Sequence, residues 1–185
     1  GRDGALLEAI STERTPGVDL TCGSLGQGLS GAVGYALAAR LAGGGRRTFA
    51  FLSDGEMEEG QVWEAAMFAA HHGLGDLVVA LDANGSQVDG PITDVTTIEP
   101  IAEKWAAFGW HVEEVDGHDI GALRRAFAAC RADDRPSVVV ARTDILGRLR
   151  SIPDTADGHF LKLDVELEAA IRAELEGIGR TASHA

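Results

Sequence analysis

Four short runs that are predicted to be strands constrain the fold of this 185-residue chain most strongly. Segments with helical spacing separate them. The first run is continuous rather than alternating, which is typical of a strand that is buried on both faces of a sheet, and the second is also interpreted as a buried strand. Strands that alternate with helices indicate βαβ units. The runs are TFAFLS (48–53), LVVALD (77–82), WHVEEVD (110–116) and PSVVVART (136–143). The sequence therefore predicts an α/β fold with a mostly parallel sheet covered by helices on both faces.

The predicted helices lie before, between and after these runs. A glycine cluster precedes a helix of small residues that ends at Leu41, before three glycines. Pro100 is expected in the first turn of its helix, and Asp119 is predicted to cap the next one. The remaining helical patterns cover 58–72, 98–109, 119–133 and 164–179. We interpret the whole chain, 1–185, as a single domain with an N-terminal segment (1–20) and an irregular loop (144–163).

The composition limits the classes of partner. A formal net charge of −13 argues against binding to nucleic acids or anionic membranes, because both require basic patches. Two cysteines that lie far apart, Cys22 and Cys130, form no metal-binding or redox spacing. We find no pattern of a signal peptide or a membrane span. These features favour a reducing, cytoplasmic compartment.

Polar side chains follow two consecutive predicted strands. Asp54 closes the first strand, and Asn84 follows the second, thirty positions later. Ligands of parallel α/β sheets bind beyond the carboxyl ends of the strands, where a βαβ unit brings both residues. A carboxylate, an amide oxygen and a nearby backbone carbonyl form an all-oxygen ligand set that suits Mg²⁺ or Ca²⁺. Taken singly, Asp54 could cap a helix and Asn84-Gly85 could form an ordinary turn, but together they favour a metal site.

An anion site is predicted beside this metal. The helix expected after Gly55 would present its N-terminal amides, and Gly55 would let a ligand approach the backbone closely. A metal ion, free amides and missing side chains together indicate a site for a diphosphate.

Here the sequence resembles a known family. The stretch SDGEMEEGQVWEAAMFAAHHGLGDLVVALDANGSQVDG is similar to the thiamine-diphosphate fingerprint, and TPGVDLTCGSLGQGLSGAVGYALAARL resembles transketolases in particular. The segment EKWAAFGWHVEEVDGHD also resembles transketolase. The resemblance runs from about Pro16 to Arg142 and implies the three-layer, diphosphate-binding domain of a transketolase that is split into two subunits.

The resemblance implies roles for individual residues. Asp54 and Asn84 would bind Mg²⁺ by their side chains, and Ser86 would bind it by its backbone carbonyl. The cofactor-binding residues implied near thiamine diphosphate are Gly23, Leu25, Gly26, Gly55, Glu56, Asn84 and Val88.

The catalytic candidates that the resemblance implies are Glu59, Glu64 and His159. Glu59 and Glu64 match family glutamates that link paired active sites across a subunit interface, although an exposed acidic helix start explains them equally well. Glu56 and Glu58 fit that simpler explanation better. His159 aligns with a histidine near the diphosphate and the substrate, but a solvent-exposed loop histidine fits it as well.

Several positions depart from the family pattern. Ser53 replaces the first glycine of the GDG motif, and DILGRLR keeps one glycine of a glycine-rich phosphate loop. No His-Pro pair precedes Pro16-Gly17, where transketolases have a histidine that helps to bind the sugar donor. An upstream Gly-His pair that contacts substrate is also absent from this sequence. Ordinary pentose phosphates are therefore not the expected substrates.

These observations predict the diphosphate-binding subunit of a two-component transketolase-like enzyme. It would transfer a two-carbon ketol unit with thiamine diphosphate and Mg²⁺, to a small-molecule or carrier-bound acceptor of specialised metabolism. The activating glutamate would come from a pyrimidine-binding partner subunit, in an expected heterotetramer. Two alternatives remain open: a 2-oxoacid decarboxylating subunit with the same cofactor, and a cofactor-free structural subunit.

Overall fold

The computed structural model describes residues 4–6, 11–153, 155–156 and 158–182. Its helices are α1 (Gln27–Leu41), α2 (Gly60–His71), α3 (Ile92–Val95), α4 (Ile101–Ala107), α5 (Ile120–Cys130) and α6 (Val165–Ala182). Its strands are β1 (Thr48–Ser53), β2 (Leu77–Ala83), β3 (Ser86–Gln87), β4 (Gly90–Pro91), β5 (His111–Asp116) and β6 (Ser137–Arg142). A 3₁₀ turn, Gly55–Glu58, joins β1 to α2.

Four strands form one parallel sheet in the order β1-β2-β6-β5. The register aligns Ser53 with Asp82 and Ala83 with Arg142, so all four strands end at one edge. The chain leaves β2, passes to the far edge to form β5, and returns so that β6 lies between β2 and β5. The predicted α/β class and parallel sheet are confirmed.

The larger core lies between the sheet and helices α1, α2 and α4. Alternate residues of β2, such as Val79 and Leu81, point into it. Trp105 and Trp110 are fully buried there, with ring centroids 4.7 Å apart. Burying each large apolar side chain contributes about 1.5–3 kcal/mol, so this face supplies most of the hydrophobic stabilisation.

Helices lie over both faces of the sheet, as predicted, but the face opposite the larger core is covered only in part. A smaller cluster packs α5 against β2 and β6 through Val78, Ala126 and Val139. Phe49 and Phe51 lie on this same face of the edge strand β1 and are 63% and 76% exposed. Their apolar character predicted burial, but no helix among the described residues lies over them.

The helix boundaries differ slightly from the prediction. The helix predicted from residue 58 is preceded by the 3₁₀ turn and begins at Gly60. Pro100 is the N-cap of α4 rather than part of its first turn. Asp119 caps α5 as predicted, because its carboxylate accepts from the Ala122 N–H at 2.9 Å.

Residues 143–164 form no helix or strand where they are described, yet several contacts hold them. The Arg148 guanidinium donates two hydrogen bonds to Asp116, at 3.0 and 3.1 Å. The N–H groups of Arg150 and Ser151 donate to Glu174 of α6, both at 2.9 Å. Among the described residues, every helix is too short or too polar to span a bilayer.

Candidate functional site

Asp54 lies at the end of β1 and is 2% exposed. Its Oδ1 accepts from the Gly55 N–H at 2.9 Å, which caps the 3₁₀ turn. Its Oδ2 accepts from the Gly85 N–H at 2.6 Å, which ties the end of β1 to the loop after β2. Burial raises the pKa of the Asp54 carboxyl, while these two N–H groups act in the opposite direction. The charge of Asp82 also raises this pKa.

The loop after β2 holds the other two predicted metal ligands. Asn84 Oδ1 accepts from the Ser86 N–H at 2.9 Å, and Asn84 Nδ2 donates to Asp82 Oδ2 at 3.0 Å. Because Gly85 binds Asp54 directly, the three residues Asp54, Asn84 and Ser86 lie around one point at the sheet edge. The juxtaposition predicted from the βαβ spacing is therefore present.

The donor chemistry of these residues fits a hard divalent cation. They offer one carboxylate, one amide oxygen and one backbone carbonyl, and Mg²⁺ prefers oxygen ligands with positions left for water and phosphate. In the part of the chain that the structure describes, no group of three or more His, Cys, Asp or Glu side chains could hold a metal ion. A metal at this edge would therefore depend on amide and carbonyl oxygens.

The predicted anion site at the start of a helix differs in the structure. The residues after Asp54 form a four-residue 3₁₀ turn, and its first amides already have partners. The Gly55 N–H donates to Asp54, and the Glu56 N–H donates to Ser53 Oγ at 3.2 Å. A Cβ at Gly55 would lie 3.1 Å from the Gln87 Cβ, so this glycine permits a close approach of Gln87.

The glycine-rich loop before α1 is attached to the same turn. Gly26 is buried and has φ 87°, a left-handed conformation that favours glycine. A Cβ at Gly26 would lie 2.6 Å from the Glu59 Cβ, so a side chain would not fit there. The Gly26 N–H donates to Glu56 Oε1 at 2.8 Å. Glu56 is only 7% exposed, so its expected place on an exposed helix start is wrong.

The residues predicted to contact the cofactor rings are open to solvent. Leu25 and Val88 are 57% and 62% exposed, which is unusual for apolar side chains beside a buried site. Gly23 is exposed as well, at the start of the same loop. A ligand or a second chain could cover these groups.

Glu59 and Glu64 are exposed in this single chain. Glu59 follows the 3₁₀ turn and packs its Cβ toward Gly26. Glu64 lies one to two turns along α2 and lines a cleft of 280 Å³ with Ser30 and Phe68. The two glutamates therefore lie along one segment that starts at the site.

His159 belongs to the irregular loop, yet its ring reaches the site. Its Nδ1 lies 3.4 Å from Ser86 Oγ, which places the imidazole beside a predicted metal ligand. The ring is exposed. The loop passes close to the end of β2, a proximity that the sequence alone could not supply.

Sequence reasoning missed Asp82 and Thr143. Asp82 accepts from Asn84 Nδ2, and the Thr143 hydroxyl donates to Asp82 Oδ1. Asp82 thereby orients the Asn84 amide so that Oδ1 faces the Ser86 N–H. The final aspartate of LVVALD, two residues before Asn84, was the only available signal.

Several known proteins are similar to this chain in sequence. Residues 10–174 match the family described as "Transketolase, thiamine diphosphate binding domain". The chain is 41% identical over 181 residues to the 6-deoxy-6-sulfo-D-fructose transketolase subunit SqwG of Clostridium sp., covering 96% of this chain and 66% of that protein. It is 40% identical over 130 residues to an apulose-4-phosphate transketolase subunit of Actinobacillus succinogenes, covering 70% of this chain and 47% of that protein.

Solved structures show the same likeness. A transketolase from Leishmania mexicana superposes with a TM-score of 0.66 at 26% identity, covering 92% of this chain and 30% of that one. A transketolase from Campylobacter jejuni gives a TM-score of 0.66 at 27% identity, covering 69% of this chain and 21% of that one. The chain thus spans about two thirds or less of the length of these relatives.

Proposed function

Because the chain belongs to the transketolase family, as its thiamine diphosphate-binding domain, we propose that it is the diphosphate-binding subunit of a two-component transketolase-like enzyme. The observation that carries this proposal is the hydrogen bond from the Gly85 N–H to Asp54 Oδ2 at 2.6 Å. That bond joins the ends of β1 and β2 and gathers a carboxylate, an amide and a carbonyl at one point. Relatives that are themselves named as transketolase subunits support the split arrangement.

Asp54, Asn84 and the Ser86 carbonyl would hold Mg²⁺, which in turn would hold the diphosphate. Asp54 would keep its carboxylate ionised when a cation offsets the cost of its burial. Thiamine diphosphate supplies, when bound, the carbanion chemistry of ketol transfer, while the protein binds and orients. The exposed apolar side chains of Leu25 and Val88 support a role in covering the rings of the cofactor.

A partner subunit with a pyrimidine-binding domain would complete the site. Glu59 and Glu64 would lie at this subunit interface, where buried carboxylates require shared protons or hydrogen bonds. His159 would face the substrate, which its 3.4 Å contact with Ser86 Oγ supports. We expect a heterotetramer in which each cofactor lies between two unlike subunits.

The substrate would be a ketose other than the ordinary pentose phosphates. The sequence lacks the His-Pro pair before Pro16-Gly17 and keeps a single glycine in DILGRLR. Relatives are named for a sulfonated ketose and for apulose 4-phosphate, so donors with unusual anionic groups belong in the assay.

The test is reconstitution. The chain would be purified alone and together with a pyrimidine-binding transketolase subunit encoded beside its gene, and ketol transfer from hydroxypyruvate, xylulose 5-phosphate and a sulfonated ketose would be measured. We expect no turnover by the chain alone, and turnover by the pair that requires thiamine diphosphate and Mg²⁺. Catalytic efficiency on xylulose 5-phosphate should lie below the ordinary enzyme range, which begins at about 10⁴ M⁻¹s⁻¹.

Other outcomes would overturn the proposal in distinct ways. Full activity of the single chain would remove the need for a partner. Release of CO₂ from pyruvate without ketol transfer would indicate a 2-oxoacid decarboxylating subunit. A pair that purifies as a stable complex but binds no cofactor would indicate a structural subunit.

A further inference from the structure

Four glutamates follow Gly55 closely in sequence, but they differ in burial. Glu56 is 7% exposed, whereas Glu59 and Glu64 are exposed and Glu58 is intermediate. A buried carboxylate far from any cation is costly unless hydrogen bonds satisfy it. Glu56 meets this requirement with a backbone donor thirty positions earlier in the chain, the Gly26 N–H at 2.8 Å.

The turn that carries Glu56 is itself held at several points. The Met57 N–H donates to the Asp54 carbonyl, and the Glu59 N–H donates to the Glu56 carbonyl, both at 3.1 Å. The Trp63 indole N–H donates to the Met57 carbonyl at 2.9 Å, and Met57 is fully buried. The direction of the Glu56 side chain is therefore set by the same turn that positions Asp54.

The segment around Gly26, which donates this hydrogen bond to Glu56, needs a contact that holds its conformation. Gly26 has a left-handed φ and lies at the N-cap of α1, where no side chain caps the helix. The glycines at 23, 26 and 28 give this segment more conformational freedom than other residues would. Among the residues that the structure describes, the side chain that accepts a hydrogen bond from the Gly26 N–H is that of Glu56.

We propose that Glu56 is a positioning residue that clamps the glycine-rich loop (residues 22–28) onto the 3₁₀ turn (Gly55–Glu58) that follows Asp54. Through one hydrogen bond it fixes the distance between Leu25, on the loop, and Asp54, on the turn. The family resemblance implies that Glu56 binds the cofactor. In this proposal Glu56 acts instead through Gly26 and does not touch the cofactor. This inference rests on the proposed function only for the identity of the ligand.

Three substitutions separate contact from charge. Glu56→Gln keeps an oxygen acceptor at the same reach but loses the charge. Glu56→Asp keeps the charge but is one methylene shorter, so its carboxylate falls short of the Gly26 N–H. Glu56→Ala loses both. Glu103→Ala, at an exposed glutamate in the first turn of α4, is the matched control.

The first readout is hydrogen exchange in the purified, cofactor-free chain. We expect amide exchange in residues 22–28 to accelerate at least tenfold, or about 1.4 kcal/mol, in Glu56→Ala and Glu56→Asp. Glu56→Gln and Glu103→Ala should remain within threefold of the wild type. Unchanged exchange in Glu56→Asp would refute the clamp, and so would acceleration in Glu56→Gln equal to that in Glu56→Asp. If Glu56→Ala does not fold, the Gln and Asp variants decide the question.

The second readout uses the reconstituted complex. The dissociation constant for thiamine diphosphate should rise at least tenfold in Glu56→Asp and stay near the wild-type value in Glu56→Gln, while kcat at saturating cofactor changes less than twofold. A loss of kcat with unchanged affinity would contradict a positioning role. If no variant and no wild type binds the cofactor, the proposed function fails, whereas the exchange result still decides whether the clamp exists.

Discussion

The two halves of the sheet edge hold their acidic side chains in different ways. At the ends of β1 and β2, Asp54 and Glu56 are buried and accept hydrogen bonds from backbone N–H groups of distant segments. In the other half, Glu114 and Asp116 of β5 are exposed and pair with Arg142 and Arg148. Acidic residues therefore connect distant segments of the chain in one half of the edge, and they form exposed ion pairs in the other half.

The physical difference is the mobility and hydration of the partner. A backbone N–H cannot leave its place without moving the chain, and an unpaired one that is buried costs about 1–3 kcal/mol. Water and salt screen the attraction between the two charges of an exposed ion pair. Such a pair therefore contributes only about 0.2–1 kcal/mol to stability. We therefore expect the β1–β2 half to tolerate little change, and the β5–β6 half to tolerate much.

Substitution of Asp54 should have the largest effect. Asp54→Ala leaves the Gly85 N–H without its acceptor and removes the only carboxylate proposed for the metal. We expect affinity for thiamine diphosphate with Mg²⁺, measured by calorimetry on the reconstituted complex, to fall by more than tenfold, about 1.4 kcal/mol. Urea unfolding should show a loss of about 1–3 kcal/mol. A smaller change in affinity would mean that Asp54 is not a ligand.

Asp54→Asn is the matched control for this variant. The amide keeps one oxygen that can accept from a backbone N–H, so stability should recover more than cofactor affinity does. Equal recovery of both quantities would indicate that Asp54 acts only as a cap.

The indole groups test whether the turn itself matters. Trp63→Phe removes the hydrogen bond to the Met57 carbonyl but keeps an aromatic ring beside Phe108, whose centroid lies 5.2 Å away. We expect a stability loss of about 0.5–1.5 kcal/mol and faster hydrogen exchange in residues 54–58. In Trp110→Phe, which removes a bond to the Ala66 carbonyl, stability should fall without that local change. If hydrogen exchange in residues 54–58 were equal in the two variants, the hydrogen bond of Trp63 would not be what stabilises the turn.

The ion pairs of the other half should contribute less. The Arg142 guanidinium donates to Glu114 at 2.7 Å and also pairs with Glu99, whose pKa it lowers. Arg142→Ala should therefore cost less than about 1 kcal/mol, and 1 M salt should reduce the difference from the wild type. A cost above about 2 kcal/mol would place this pair in the same class as the buried contacts.

The same pair predicts a pH dependence. Because the pKa of Glu99 is lower in the folded protein than its ordinary value of 4.5, the pair stabilises the fold above that pH. Its contribution should decrease as the pH falls below 4.5, and it should be lost as the pH falls through the folded-state pKa. Stability of the wild type and Arg142→Ala, compared by urea unfolding from about pH 6 to about pH 3.5, should converge. A constant difference would contradict this linkage.

The labelling of the two cysteine thiols is expected to show the smallest effect of these variants. It also reports on the order of the glycine-rich loop. Burial raises the pKa of the Cys130 thiol to about 11, whereas Cys22 is partly exposed at the start of the glycine-rich loop. At about pH 8, iodoacetamide should label Cys22 at least tenfold faster than Cys130, because the thiolate is the reactive form. Faster labelling of Cys22 in Glu56→Asp would support the clamp, while equal rates for the two cysteines would contradict the burial of Cys130.

The sequence alone determined the elements of the sheet and the chemistry at its edge. Continuous apolar runs such as Val138–Val140 are typical of a buried strand. Asp119 can cap a helix with local contacts. Asp54 and Asn84 were predictable for the same reason, since a βαβ unit brings consecutive strand ends together whatever lies elsewhere.

Tertiary structure alone decided the strand order, the coverage of the sheet and the partners of individual acids. The insertion of β6 between β2 and β5 depends on long-range packing, and so does the exposure of Phe49, whose residue type predicts burial. Glu56 and Glu58 are the same residue two positions apart, but the 3₁₀ turn directs one toward Gly26. His159 meets Ser86 across seventy-three positions of chain. Local propensity cannot encode such contacts, because each depends on where a distant segment lies in the folded protein.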